Sequence, residues 1–258
     1  MLKDWRARRR VSQLQLALSA GVSTRHLAFL ETGRARPSTV MVMKLAEALE
    51  LPLDARNGLL HAAGFAPSYT RRSLDDASMA PVRRAISWSL QRHTPYPAFA
   101  KDRHWRVVAA NDVAVTLLRA AAVSVGDSLL DLLIDEGRLH ATFANPGEVG
   151  RHILQRLRLE SQHFGGEAVL EQAAQRLAEI AVIRNFQPQT PLPVVVPTLY
   201  RMGEQTLSFF STLAQFGTAE DLMLADLQLE FMFPADEPTR LQLEALQPPG
   251  LTAPVHAP

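Results

Sequence analysis

The chain has 258 residues, with 27 Lys+Arg against 26 Asp+Glu, 47% hydrophobic and 21% charged residues; at about 100–200 residues per domain this is an ordinary globular composition for two domains, and the balanced total by itself predicts no polyanionic partner. With no cysteine it has no disulfide, iron–sulfur cluster, thiolate zinc site or cysteine nucleophile. No apolar run reaches the length of a membrane span and no signal-peptide pattern opens the sequence, so the expectation is a cytoplasmic protein without a membrane partner.

The total conceals an asymmetry. Residues 1–92 hold 15 Lys+Arg and 7 Asp+Glu, whereas residues 93–258 hold 12 and 19. A basic first third followed by an acidic remainder is expected when one module meets a polyanion and the other does not, although a solubilising surface has the same charge count.

Residues 2–64 read as short helices separated by turns, with Leu51-Pro52 and Gly64 as punctuation. Ser12 can cap a helix from Gln13 by accepting a bond from a free backbone N–H. Leu14, Ala17 and Leu18 are expected to share its buried side, the small Ala17 admitting a close crossing. Gly21 follows where a left-handed residue is needed. Val22 turns inward, and Ser23 caps a second helix with Leu27 and Leu30 on its inner face. These offsets are those of a helix-turn-helix.

The outer face of the second helix carries Thr24, Arg25, Ala28 and Phe29, with Ser23 and His26 at its amino end. Such a helix enters the major groove amino end first. Arg25 can donate two bonds to guanine O6 and N7, while Thr24 and Phe29 can pack on thymine methyls. Gln13, at the start of the first helix of the motif, can hold a phosphate. Arg34 and Arg36 follow in a loop expected to face the DNA backbone. A helical hairpin with merely solvated charges is the competing reading; the small residue, turn glycine, cap and basic outer face at fixed offsets favour double-stranded DNA.

The segment resembles the lambda-repressor-type, or XRE-type, helix-turn-helix over about residues 2–64. The resemblance implies a structural pair between Arg6 and Glu31, which are not expected to touch DNA. Ser38 would cap the next helix, with Val40, Leu45, Ala48 and Leu49 closing the small core.

Beyond it, residues 65–75 read as a linker, and Val82, Ile86 and Leu90 predict a helix over about 78–92 that Thr94-Pro95-Tyr96-Pro97 stops. Joining the two modules, that helix is the candidate lever between them. Residues 98–100 and 105–109 read as a hairpin. Helices are predicted at 112–122, 128–134, 147–163 and 167–184. Three strands are predicted at 194–199, 206–215 and 222–233. The last slips phase near Ala225-Asp226, which suggests a β-bulge. The Pro- and Gly-containing end is expected to be a disordered tail.

The wording of several segments narrows the family. Glu31-Thr32-Gly33-Arg34, Ala46-Glu47-Ala48-Leu49, Pro95-Tyr96-Pro97-Ala98, Trp105-Arg106-Val107-Val108-Ala109-Ala110-Asn111, Leu207-Ser208-Phe209-Phe210 and Phe216-Gly217-Thr218-Ala219-Glu220-Asp221 resemble MmyB-like regulators. The resemblance implies a PAS-like ligand-binding domain at about 93–240 that holds a fatty-acid-like ligand. The residue pattern is compatible: two strands, a helical insert and three strands can form a five-stranded antiparallel sheet that encloses an apolar pocket. Candidate lining residues are Phe99, Trp105, Val107, Leu117, Leu118, Phe210, Thr212, Phe216 and Phe231, each of which also suits ordinary core packing. Asn111 suits a helix cap or a ligand head group.

His104, His140, His152 and His163 have no ligand spacing, so no metal is expected. No nucleophile elbow, phosphate loop or carboxylate pair stands out, so no catalytic residue is assigned. The expectation is an α+β chain. Residues 1–66 form an all-α helix-turn-helix domain, 67–92 a linker and connecting helix, 93–240 the PAS-like domain and 241–258 the tail. It acts as a homodimeric transcriptional regulator, not an enzyme. It is expected to need no cofactor, and the resemblance implies a fatty acid or similar lipid as its effector. The competing readings are a protein–protein module built on residues 147–184, and an enzyme acting on an acyl metabolite.

Overall fold

A computed structural model describes residues 1–188 and 194–245. The chain divides into two contact units. The first comprises Met1–Ser73 together with Gln155–Ala174 and Gly217–Ala225; the second comprises Leu74–Leu154, Gln175–Phe216 and the chain from Asp226.

The first unit begins with five helices: α1 (Leu2–Arg8), α2 (Gln13–Ser19), α3 (Thr24–Glu31), α4 (Thr39–Ala48) and α5 (Leu53–Ala62). Three serines start three of them. Ser12 Oγ accepts from Gln15 N at 3.2 Å while Gln15 Oε1 accepts from Ser12 N at 2.9 Å, a reciprocal capping box. Ser23 and Ser38 accept from His26 N and Met41 N, both at 3.2 Å. Each such cap contributes about 1 kcal/mol. Gly21 has φ +66°, which closes α2 and redirects the chain into α3.

The core of this unit is Leu16, Ala17, Ala20, Leu27, Val42, Leu45, Ala46, Leu49, Leu51, Leu59 and Leu60. Three expected core positions differ. Leu14 and Leu18 are 58% and 73% exposed, and α2 turns Leu16, Ala17 and Ala20 inward instead. In a seven-residue helix with apolar residues on most sides, spacing alone does not choose the inner stripe. Val40 is also exposed, and Val42 and Ala46 take its place.

The predicted linker is held against the first unit. Asn57 of α5 accepts from Ser68 N at 2.9 Å and Tyr69 N at 3.0 Å and donates to Tyr69 O at 2.7 Å. Thr70 forms a parallel bridge with Asp221, whose Oδ2 accepts from Arg72 N at 3.1 Å.

The second unit opens with α6 (Ala80–Arg92), as predicted, after one 3₁₀ turn. The hairpin β1 (Ala98–Lys101) and β2 (Val107–Ala110) follows. Its turn is organised by Asp102 Oδ1, which accepts from His104 N and Arg106 N at 2.8 and 2.9 Å. The helical insert is α7 (Asp112–Ala120), α8 (Leu129–Leu133), α9 (Glu136–Thr142), α10 (Pro146–His163), α11 (Ala168–Glu179) and α12 (Ala181–Arg184). The helix predicted at 167–184 is therefore two, broken at Ile180, which adopts extended dihedrals.

The sheet is completed by β3 (Thr198–Met202), β4 (Gln205–Gln215) and, after α13 (Leu222–Asp226), β5 (Gln228–Pro234). It is the expected five-stranded antiparallel sheet, in the order β2-β1-β5-β4-β3. Two strand predictions need correction. β3 starts only after Pro197, since proline has no N–H to give a ladder. Residues 222–226 are not strand: Asp221 Oδ1 accepts from Met223 N at 2.9 Å and starts α13. The phase slip marks a helix-to-strand junction rather than a β-bulge.

The last element among the described residues is α14 (Glu237–Ala245), so the first five residues of the expected tail are helical. Residues 246–258, the rest of that tail, lie outside the described residues. Thr239 of α14 is buried and its Oγ1 accepts from Ser208 N of β4 at 2.9 Å.

Candidate DNA interface and ligand-binding module

α3 is fixed from behind. Arg6 of α1 donates from Nε and Nη2 to the two carboxylate oxygens of Glu31, at 2.6 and 3.0 Å, and from Nη1 to Val11 O at 3.0 Å. The Glu31 side chain is only 2% exposed. These bonds from Arg6, and a further one from Gln13, hold the Glu31 carboxyl below its ordinary pKa despite its burial, and the same pair raises Arg6. Both groups stay ionised and rigid at neutral pH. A bidentate pair of this kind sets orientation as well as energy.

Gln13 joins this network: its Nε2 donates to Glu31 Oε2 at 2.7 Å, and an amide nitrogen that gives one hydrogen there has a second to donate. The sequence pattern gave α2 a polar first residue, but Glu31 lies 18 positions away, beyond the reach of local spacing.

On the opposite side of α3, Arg25 is exposed and Thr24, Ala28 and Phe29 are half-buried. The Arg25 guanidinium sits 5.5 Å from the Phe29 ring centroid. That contact is worth about 0.5–1 kcal/mol at an exposed site and limits where the arginine can point. Ser23 Oγ is engaged as a cap, yet a hydroxyl that accepts still has its proton to donate. His26 is half-buried beside it. Arg34 and Arg36 are exposed in the loop after α3, which is turned by Gly33 at φ +74° and tied back by Arg34 N to Phe29 O at 2.8 Å.

The candidate lining residues of the second unit do not form one surface. Cross-strand partners share a face. Thr212 pairs with Phe231, and Phe231 with Ala98; Phe210 pairs with Phe233. These lie on one face, where His93, at the end of α6, meets Phe231 and Phe233 at centroid distances of 5.2 and 4.8 Å. Phe99 pairs with Glu230 on the other face, and Val107 pairs with Lys101 there. Adjacent strand residues point opposite ways, so a list drawn from apolar character alone divides. Leu117 and Leu118 are buried on α7, Trp105 is buried in the β1–β2 turn at φ +59°, and Phe216 follows the end of β4.

Asn111 is not available to a head group. Fully buried, it accepts at Oδ1 from Ala114 N (2.9 Å) and Ala98 N (3.1 Å), and donates from Nδ2 to Tyr96 O (2.9 Å) and Leu90 O (3.1 Å). It caps α7, as one of its two expected roles required, and also joins α6 to β1.

The face that bears Phe99 carries groups the sequence reading passed over. Tyr200 lies between Phe143 and Phe209, at 4.9 and 5.8 Å between ring centroids. Burial, reinforced by the charge of Glu230, pushes its pKa well up, so its hydroxyl keeps its proton. Lys101 is fully buried, with Nζ 4.1 Å from the Trp105 ring centroid. A lysine closing an apolar four-residue strand was the available signal. Ser211 and Leu213, on the same face of β4, are exposed.

On the other face, burial lowers the pKa of His93, and the bond to Met232 O at 2.7 Å only partly offsets this. The ring is neutral at pH 7 and donates from Nε2 to that carbonyl. Among the described residues no cluster of side chains is composed to hold a metal ion, and no helix is long and apolar enough to cross a membrane.

Two family models match the chain. Residues 2–55 match a helix-turn-helix model, and residues 82–246 match the MmyB-like transcription regulator ligand binding domain. No curated protein matches it significantly. The first match spans α1 to α4, including the Arg6–Glu31 lock; the second begins within α6 and takes in the whole sheet, and alone covers more than half the sequence. The chain therefore belongs to the MmyB-like transcription regulators, DNA-binding proteins with a helix-turn-helix and a ligand-binding domain.

Proposed function

We propose that this regulator reads a double-stranded operator through Arg25, Thr24 and Phe29, and that its effector is a small apolar or amphipathic molecule of the fatty-acid kind. The observation that carries the first part is the locking of α3 by Arg6, Glu31 and Gln13, with Arg25 laid on Phe29. A pre-set arginine loses less freedom on contacting a guanine, and a fixed helix keeps its register in the groove. Ser23, His26, Arg34 and Arg36 would serve the phosphates, together with the backbone N–H of Gln13.

The second part is supported by the sheet face that holds Phe99, Val107, Tyr200, Phe209 and Met232. These residues form an apolar stretch of that face, with the buried ammonium of Lys101 at one end, and Glu230 and Gln228 of β5 lie on the same face. Apolar walls with one or two placed polar groups suit a chain with a polar head. The protein would act in the cytoplasm as a homodimer, on half-sites about 34–36 Å apart, one turn of DNA.

Native mass spectrometry of the full chain tests the effector class. A co-purified mass matching a fatty acid, displaced by added palmitate, is the expected result. A protein that emerges empty and takes up no palmitate would overturn the effector reading while leaving the DNA-binding reading intact.

A further inference from the structure

The matched ligand-binding region, residues 82–246, does not fold wholly with itself. Gln155–Ala174, inside that region, belongs to the contact unit of the DNA-binding helices. This segment is the second half of α10, the turn after it, and the first half of α11.

The turn is built to receive α1. Gly165 and Gly166 have φ +84° and +92°, conformations that only glycine adopts without strain. A Cβ on Gly165 would overlap the Trp5 ring, and one on Gly166 would lie 2.6 Å from Arg8 Nη1. Arg9 Nη2 donates to His163 O at 3.1 Å and to Glu50 O at 3.3 Å. A cation at the carbonyl end of α10 also suits the helix dipole. Ser161 Oγ donates to Glu171 Oε1 at 3.3 Å and ties the two helices of the hairpin together.

α1 is also the helix that locks α3. Trp5, Arg8 and Arg9 meet the hairpin, while Arg6, between them in sequence, holds Glu31. Displacing α1 by a fraction of an ångström would disturb a bidentate pair whose bonds are 2.6 and 3.0 Å long.

The other ends of the hairpin belong to the second unit. Asn145, just before α10, donates to Pro197 O at 2.8 Å and accepts from Leu199 N at 3.0 Å, next to Ala144 N donating to Leu199 O at 2.8 Å. Phe143 bridges to Tyr200, the ring on the apolar sheet face. The start of α10 is packed tightly on α12: a Cβ on Gly147 would lie 2.7 Å from Val182 O, and one on Gly150 would overlap Ile183. α10 is 18 residues long, about 27 Å of continuous helix.

We propose that the α10–α11 hairpin is the coupling element of this regulator: α10 starts on β3, the hairpin turn seats on α1, and effector binding acts on α3 through it. The connecting helix α6, the lever expected from the sequence, lies wholly in the second unit. The proposal rests on the reading that the Tyr200 face receives the effector, and a second measurement below does not.

The test uses the full chain, an operator selected from random DNA, and palmitate as probe. Wild type is expected to change operator affinity on adding palmitate by at least about fivefold, the lower end of ordinary allosteric coupling. Gly165→Ala strikes the seat from the hairpin side, and Arg9→Met removes the bond to His163 O from the α1 side while keeping an aliphatic stem. Both should bind palmitate as wild type does; Arg9→Met should keep the basal operator affinity, Gly165→Ala should bind operator at a changed basal affinity because it pushes on Trp5 of α1, and both should lose the palmitate-dependent change to within twofold. Folded variants that keep the full change overturn the proposal.

Should palmitate not act on wild type, amide hydrogen exchange decides without any effector. Because coupling is reciprocal, operator binding is expected to alter exchange along 146–179, including the parts of α10 and α11 in the second unit, and Gly165→Ala should abolish that response. Unaltered exchange there on operator binding overturns the proposal, whatever the effector is.

Discussion

Arg25 and Arg36 are both exposed arginines near α3, but the structure gives them different surroundings. Arg25 lies over Phe29 on a helix anchored by Arg6 and Glu31, while Arg36 lies on the loop beyond Gly33. A rigid side chain can tell one base edge from another; a loop arginine mainly neutralises charge. Arg25→Ala should therefore lower discrimination between the selected operator and a single-base variant by about 1–3 kcal/mol. Arg36→Ala should weaken all sequences alike and reduce the slope of log affinity against log salt by about one. Gel shifts at several salt concentrations separate the two. Equal losses on operator and variant for Arg25→Ala would remove it from base reading. At this scale the sequence was legible where roles are local, as at the three serine caps and Gly21. It was not where partners are distant, as for Gln13 on Glu31.

Elements were legible where a helix or strand has one dominant apolar stripe, and less so elsewhere. The hairpin, β4, α6, α7 and α10 stand close to where spacing put them. Residues 222–233 alternate like a strand on either side of a phase slip at Ala225-Asp226, yet Asp221 starts α13 and only the second half pairs with β4. A side-chain cap outweighed a β-like pattern over five residues. Face assignment failed for the same physical reason as in α2: apolar residues point both ways when both sides are covered. The element junction around Asn111 illustrates what composition does not display. Its one amide satisfies two buried N–H groups and two carbonyls on α6, β1, α7 and the turn at Tyr96. Asn111→Ala removes the partner of Ala98 N, Ala114 N and Tyr96 O, while Leu90 O still accepts from His93 N at 3.3 Å, and each unsatisfied buried group costs about 1–3 kcal/mol. The expected outcome is a loss of at least about 2 kcal/mol in the urea unfolding of the ligand-binding unit, with operator contacts untouched. A loss below half that size would mean that water or a ligand reaches the site.

Over the whole molecule, the neutral total separates into a basic portion with the reading helix and an acidic portion with the sheet. A field of one sign on the helix-turn-helix portion raises its encounter rate with DNA, while the acidic portion is repelled by the same DNA. Sequence order suggests that the first portion could be cut free after residue 66. Contacts argue for a cost. The hydrophobic core of the reading helices, from Leu16 to Leu60, is complete within Met1–Ser73, so that fragment should fold. It would lack the seat for Trp5 at Gly165, the acceptor for Arg9 at His163, and Asp221, which receives Arg72 N and bridges Thr70. Losing hydrogen bonds to charged partners costs about 1.5–3 kcal/mol each. The fragment 1–73 is therefore expected to melt cooperatively but to be less stable, by about 2–4 kcal/mol, than the same helices in the full chain. Chemical denaturation followed by amide exchange in α3 compares the two directly. Equal protection of α3 in fragment and full chain would mean that the segments 155–174 and 217–225 rest on the reading helices without bearing on their stability.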